Sequence, residues 1–209
     1  MTTLFKRLKK CGCCGKQTNV LEVGSTNAFG CCDLDLRPPE MKRSAMFHFM
    51  EFCEHCGYTA SNIEKTMPMS DELKEILCEK ISSSNNVKIF ERAAKIAALK
   101  GEEKEYIDYL ILIAAWAADD QNDDSTASLL RKKILANHQK EEELSPDRLL
   151  QLIDVARRCG EMNAAAQFLE RFDKCKTQPL LKLIAAFQKK LIQNGDTGCY
   201  TVDDANKES

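Results

Sequence analysis

The hydrophobic pattern along the chain changes period near residue 70. Before that point the apolar positions come in short runs with β-type spacing. Residues 18–23 alternate apolar with polar as a half-buried strand does, and Gly24, Ser25, Asn27 and Gly30 read as turns. Residues 31–36 alternate towards their end, and Pro38-Pro39 stops the run. Residues 46–52 are aromatic and apolar. From Ser70 onward the period is helical. Ser70-Asp71-Glu72 is an N-cap followed by acids at the positive end of a helix, and Leu73, Ile76, Leu77 and Ile81 follow on one face. The pattern predicts further helices over 89–99, ended by Gly101, and over 106–118, 123–139, 146–158, 163–174 and 179–194. Pro146 stands at the first helical position after Ser145, where its missing N–H costs nothing. The stretch 106–118 is apolar on nearly every face and is expected to be central, with Trp116 in the core.

Two of the expected hairpins share a register. With Asn122 set against Gly160, an offset of 38, Ile111, Leu112, Ala115 and Ala118 fall on Leu149, Leu150, Ile153 and Ala156. Ala127 falls on Ala165 and Leu130 on Phe168, so each turn is followed by a small residue where the two helices must approach. Tetratricopeptide-type arrays are built this way, with a usual repeat of 34 residues. The expected fold is therefore α+β but mostly α. A small N-terminal zinc ribbon over 1–69 precedes an antiparallel tetratricopeptide-like array of about seven helices over 70–195 and a polar tail over 196–209.

The ribbon is read from two cysteine turns, Cys11-Gly12-Cys13-Cys14-Gly15 and Cys53-Glu54-His55-Cys56-Gly57. Each is half of a zinc site. Cys11, Cys14, Cys53 and Cys56 together supply four thiolates, enough to close a tetrahedral Zn²⁺ shell with no open position. Cys13 is the alternative ligand in the first turn, but only Cys14 is followed by a glycine, as Cys56 is. The 38-residue insert between Cys14 and Cys53 is longer than a minimal ribbon needs and is expected to hold a strand pair and a loop. Cys31-Cys32 with Asp33, Asp35 and His48 forms a weaker second metal candidate, and His55 reads as an exposed spacer.

Eleven cysteines is an odd number, which argues against a complete disulfide framework, and Cys78, Cys159 and Cys175 read as reduced core thiols. That usage points to a cytoplasmic setting. The basic N-terminal residues lead into a cysteine turn, not into an apolar signal segment, and no apolar run is long enough to span a bilayer. A net charge of −2 excludes a global field towards nucleic acid or anionic lipid. Lys6, Arg7, Lys9, Lys10 and Lys16 cluster at the first turn, yet basic residues outnumber acidic ones only nine to seven over 1–69. Asp119, Asp120, Asp123 and Asp124 lack the glycine and the final glutamate of a Ca²⁺ loop and fit a helix end, a turn and a helix start.

The combination resembles an uncharacterised bacterial domain-of-unknown-function family that joins C-P-x-C-G and C-P-x-C-G-Y-A turns to tetratricopeptide-like helices. The residues that carry the likeness are Cys11, Cys14, Gly15, Cys53, Cys56, Gly57, Tyr58 and Ala60. The segment Asp33-Leu34-Asp35-Leu36-Arg37-Pro38 and the helical signatures Ala115-Trp116 and Arg157-Arg158-Cys159-Gly160 add to it. The prolines of the family turns are replaced here by Gly12 and Glu54, and Thr59 separates Tyr58 from Ala60. The resemblance implies no activity.

No phosphate-binding glycine loop, nucleophile elbow or H-E-x-x-H motif occurs, and the three histidines stand in no catalytic pairing. The expected role is therefore a non-catalytic interaction or scaffold protein with structural Zn²⁺. Its helices would offer a surface to a protein or peptide, and the aspartates near 119–124 would steer basic partners. Nucleic-acid binding through the ribbon and thiol-based redox or metal sensing are the alternatives.

Overall fold

Strand β1 (Thr3–Lys10) and strand β2 (Gln17–Ser25) form an antiparallel hairpin across the first cysteine turn, with Lys10 opposite Gln17 and Leu4 opposite Val23. After the insert come the short helix α1 (Lys42–Ala45) and a single 3-10 turn, Met46–Phe49. A second, minimal hairpin, β3 (Glu51–Phe52) with β4 (Thr59–Ala60), brackets the second cysteine turn. The computed structural model describes residues 1–138 and 143–207.

The remaining elements are helices: α2 (Asp71–Leu77), α3 (Asn86–Leu99), α4 (Lys104–Asp119), α5 (Asp124–His138), α6 (Pro146–Arg158), α7 (Met162–Phe172), α8 (Pro179–Gln193) and α9 (Val202–Lys207). Helical positions and caps agree closely with the hydrophobic pattern. Ser70 Oγ accepts from Leu73 N–H and Ser145 Oγ from Arg148 N–H, as N-caps do. Gly101 and Gly160 close α3 and α6 with the same pair of bonds. Gly101 N–H reaches Ala98 O and Glu102 N–H reaches Ala97 O, while Gly160 N–H reaches Arg157 O and Glu161 N–H reaches Ala156 O. Asp123 Oδ1 accepts from Thr126 N–H at the start of α5, so the aspartate cluster is a helix end, a turn and a cap. Gln139, the expected last residue of that helix, lies outside the described residues.

The chain divides into two compact units, along other lines than the expected borders at 69/70 and 195/196. The first joins Met1–Ala28 to Glu40–Asn122, and the second joins Phe29–Pro39 to Asp123–Ser209. In the first, the ribbon does not stand apart from the helices. Cys11, Val20, Cys53, Tyr58 and Ile63 share one buried cluster with Leu73 of α2 and Ile96 of α3. The ribbon has too little apolar surface to close a core alone, and the helices supply the missing wall. Helix α3 packs on α4, whose Trp116 is buried edge-on to Tyr109 at 6.3 Å. The two helices of the first expected hairpin, α4 and α5, fall in different units, so the 38-residue register does not describe a repeat within one compact body.

The second unit holds α5 to α9 and takes the middle of the insert as a strap. Residues 31–36 are not a strand. Leu36 has a φ of 70° and Asp33 N–H closes on Arg37 O, which makes a turn. On one side of that turn Leu34 N–H bonds Tyr200 O and Val202 N–H bonds Cys32 O, which ties down part of the polar tail. On the other side Asp35 is fully buried. Its Oδ2 lies 2.8 Å from Arg158 Nη1 and 3.7 Å from Arg131 Nη2, and Gln151 Nε2 donates to its carbonyl at 2.9 Å. Nearby, buried Arg157 bonds Asp154 Oδ1 and Asp196 O and stacks over Tyr200 at 5.5 Å. Burial pushes the Asp154 carboxyl up to about 6 even with Arg157 beside it. All eleven cysteines are free thiols. Cys159 is buried as expected, whereas Cys78 is exposed because α2 ends at Leu77 before reaching it. Among the described residues no helix is long and apolar enough to cross a membrane.

Asp35→Ala should destabilise the second unit by about 3 kcal/mol, because Arg131 and Arg158 lose the carboxylate that compensates them in a buried site. Hydrogen exchange at the α6 amides measures it. Protection equal to wild type would mean that the strap contributes nothing to this core.

Candidate metal centre

Each cysteine turn is built by the same hydrogen bonds. In the first, Cys11 N–H donates to Lys16 O (2.9 Å) and Gly15 N–H to Cys11 O (2.8 Å). In the second, Cys53 N–H donates to Tyr58 O (2.9 Å) and Gly57 N–H to Cys53 O (2.7 Å). The fifth residue of each turn must pass through the left-handed region. Gly15 (φ 72°) and Gly57 (φ 76°) do so without strain. The strands on either side, β1–β2 and β3–β4, fix where each turn points.

The two turns bring four sulfurs together. Cys11, Cys14, Cys53 and Cys56 each offer a ligand atom within 4.8 Å of all the others, and among the described residues they are the group that could hold a metal ion. Cys11 Sγ lies 3.8 Å from Cys56 Sγ, and Cys14 Sγ lies 3.7 Å from Cys53 Sγ. Tetrahedral zinc at a Zn–S distance of about 2.3 Å places its sulfurs about 3.8 Å apart. The donor set and its spacing therefore fit a tetrahedral thiophilic ion. Cys11 and Cys53 are buried; Cys14 and Cys56 are partly covered.

Backbone amides face these sulfurs, as they do around bound thiolates. Lys16 N–H points to Cys14 and Tyr58 N–H to Cys56, at equivalent places in the two turns, and the amides of His55 and Cys56 point to Cys53. Burial pushes the Cys53 and Cys56 thiols up. Burial acts on Cys14 in the same sense, but the Lys16 amide and the neighbouring thiols outweigh it and hold Cys14 low. In the metal-free state a cluster of this kind keeps protons that an incoming cation must displace.

The surrounding residues hold the two halves in position. Gly12 sits where a Cβ would come within 2.3 Å of the Lys65 carbonyl oxygen, and its N–H donates to Ile63 O at 2.6 Å. The loop after the second turn thus packs backbone to backbone on the first. Buried Glu51 accepts from Ile63 N–H (2.9 Å) and from Lys9 Nζ (2.6 Å), which ties β1 to that loop. From α3, Arg92 Nη1 donates to Gly57 O at 3.2 Å, with its other nitrogen on Glu79 O. Lys100 Nζ reaches the Tyr58 hydroxyl at 2.9 Å. Arg92, Lys100 and Glu51 carry no signature in a single sequence, since a charged residue on a helix face or beside a strand usually meets solvent.

The other candidates do not assemble. His55 is exposed and its Nε2 meets Gln17 O at 2.8 Å, in keeping with a spacer. Cys31 donates to Asp203 Oδ1 at 2.8 Å and Cys199 to Asp33 Oδ2 at 3.4 Å, while Asp35 is taken up by arginines. His48 lies on the 3-10 turn of the first unit, and Cys31, Cys32, Asp33 and Asp35 belong to the second. Cys13 is half-buried and is not one of the four whose sulfurs converge.

The two glycines of the first turn should respond differently to alanine. Gly15→Ala meets no atom within 4 Å and strains only φ, a loss of about 1–2 kcal/mol. Gly12→Ala forces two backbones apart, so metal affinity, read by competition with a chromophoric chelator, should fall well beyond the effect at Gly15. Equal losses at the two positions would show that the Lys65 contact is dispensable. Comparison with protein-family models, with curated proteins and with solved structures gave no match to this chain.

Proposed function

We propose that Cys11, Cys14, Cys53 and Cys56 hold one structural Zn²⁺ and that the chain is a zinc-stabilised, non-catalytic interaction protein. The observation that carries this reading is the sulfur spacing of 3.7 and 3.8 Å in a set of four thiols. Thiolate donors in tetrahedral array favour zinc among the common divalent cations. Four protein ligands fill the shell, so no position is left for the water or substrate that metal catalysis needs. The metal's contribution is then folding energy. It joins the two turns to the apolar cluster that includes Leu73 and Ile96.

The helices form the second half of the proposal: an array of hairpins in the manner of tetratricopeptide proteins, with a face for a protein or peptide. The tight α6–α7 pair, with Ala165 buried just after its turn, supports that reading. Membership of the bacterial family that the cysteine turns resemble belongs to the same proposal. One observation favours thiol-based sensing as a second reading. Cys13 lies in the first turn between the proposed ligands Cys11 and Cys14, so a fifth thiol is at hand if the shell opens.

Elemental analysis after purification without chelator should find one zinc per chain, and well under one would sink the reading. Cys53→Ser should release the metal and unfold the two turns together with α2 and the last turn of α3, because they share one core. Zinc affinity should fall by at least about tenfold per pH unit on acidification below neutrality. The Cys53 and Cys56 thiols are raised by burial, so protons compete more strongly with the metal as pH falls. A flat pH profile would contradict direct thiolate ligation.

A further inference from the structure

The β1–β2 hairpin has one satisfied face and one that is largely exposed. Directly paired residues of antiparallel strands share a face. Phe5, Arg7 and Lys9 therefore lie with Glu22, Val20 and Thr18. That face is complete. Thr18 and Val20 are buried, Glu22 pairs with Arg7 and Lys9, and the Phe5 ring covers Gly24, where a Cβ would meet it at 2.2 Å. The other face carries Leu4, Lys6, Leu8 and Lys10 with Val23, Leu21, Asn19 and Gln17, and it contains no acid. Leu4 is 40 % exposed, Leu8 60 % and Leu21 44 %. Lys6 and Lys10 make no ion pair among the described residues.

The same strand has a free edge. Among the described residues β1 is paired with β2 alone, and Thr3 to Leu8 are all exposed. Cys11 N–H donates to Lys16 O, which makes that pair a hydrogen-bonded one. Hydrogen-bonded and non-hydrogen-bonded pairs alternate along an antiparallel ladder. Lys9, Arg7 and Phe5 thus turn their amides and carbonyls to β2, while Lys10, Leu8, Lys6 and Leu4 turn theirs outward. The residues with unpaired backbone groups are the same ones that present the leucines and the free lysines.

We propose that the outer edge of β1 is a docking site for an extended peptide in which acidic and apolar residues alternate at every second position, and so along one face, added as a third strand. Main-chain bonds to Leu4, Lys6 and Leu8 supply the affinity, and acids opposite the lysines with apolar residues opposite the leucines supply the selectivity. A second copy of this chain is a poor occupant. β1 carries four cations and no acid, so two such edges repel. Nucleic acid is also a poorer fit, since sequence-tolerant strand binding relies on aromatic stacking, and this face offers aliphatic chains. The inference rests on the zinc reading, because Lys10 runs straight into the ligand Cys11, which sets the hairpin's phase.

The test uses the metal-loaded chain and a fluorescein-labelled synthetic peptide of repeated Glu-Ser-Val-Ser, which sets glutamate and valine in turn along one face. Saturable anisotropy is expected. Replacing Lys6 and Lys10 together by glutamate should weaken it more than about tenfold through like-charge repulsion. Lys6→Pro should abolish it while leaving the β1–β2 ladder intact, since the lost amide points outward. Peptide addition should also slow exchange of the Leu4, Lys6 and Leu8 amides in the wild type, a readout that needs no variant. No binding with one zinc per chain present overturns this proposal alone, whereas missing zinc overturns the metal reading whatever the peptide does. Unchanged binding by Lys6→Pro overturns strand addition. Binding of an oligothymidylate but not the peptide, lost on the lysine reversal, reassigns the surface to nucleic acid. Self-association through β1 without peptide binding reassigns it to a second copy.

Discussion

Four sulfurs within 4.8 Å of one another form the constraint on which the first unit depends. They come from two turns separated by 38 residues, and the apolar cluster they share with Leu73 and Ile96 is small. Holding the turns together therefore falls to contacts of unusual closeness: Gly12 against the Lys65 backbone, Glu51 bridging Lys9 and Ile63, and Arg92 and Lys100 reaching across from α3. Each of these places a polar or bare-backbone group where a hydrophobic core would ordinarily put side-chain volume. A small metal unit gains specificity this way, since every bond has one acceptable partner, and gives up the tolerance that greasy packing allows.

The second unit solves a different problem. Its helices are amphipathic enough to pack, but α5 and α6 bring Arg131, Arg157 and Arg158 into the interior. Buried guanidinium groups demand carboxylates. Asp154 and Asp196 meet one of them, and the strap delivers Asp35 to the other two. An ionic centre of this kind adds little net stability compared with an apolar one, and it makes the arrangement intolerant of substitution.

Much of the fold was legible because the helices announce themselves. Ser70, Ser145, Pro146, Gly101 and Gly160 mark starts and stops by local chemistry, and local chemistry is what a sequence displays. The four metal-site cysteines were legible for the same reason, since a C-x-x-C-G turn is complete within five residues. The unit borders were not. Nothing near residues 29–39 says that Asp35 pairs with Arg158, which lies 123 positions away, and the alternation of 31–36 imitates a strand. The register shared by 111–130 and 149–168 does not by itself establish a repeat. Small residues after a turn recur wherever two helices meet closely, whether or not the helices belong to one repeat. Strand β1 escaped notice because its lysines read as a solvated end, while its pairing with β2 depends on a turn shaped by cysteines.

The strap has a consequence for how the chain is made. Residues 29–39 leave the ribosome early, yet Arg131, Gln151, Arg158 and the 199–202 segment that receive them come about a hundred residues or more later. At synthesis rates of roughly 5–20 residues per second, Asp35 waits for several seconds as a solvated loop. The two cysteine turns that flank it are both in hand by residue 56 and can meet during that wait. Vectorial synthesis thus offers the first unit a head start and leaves the second to finish last.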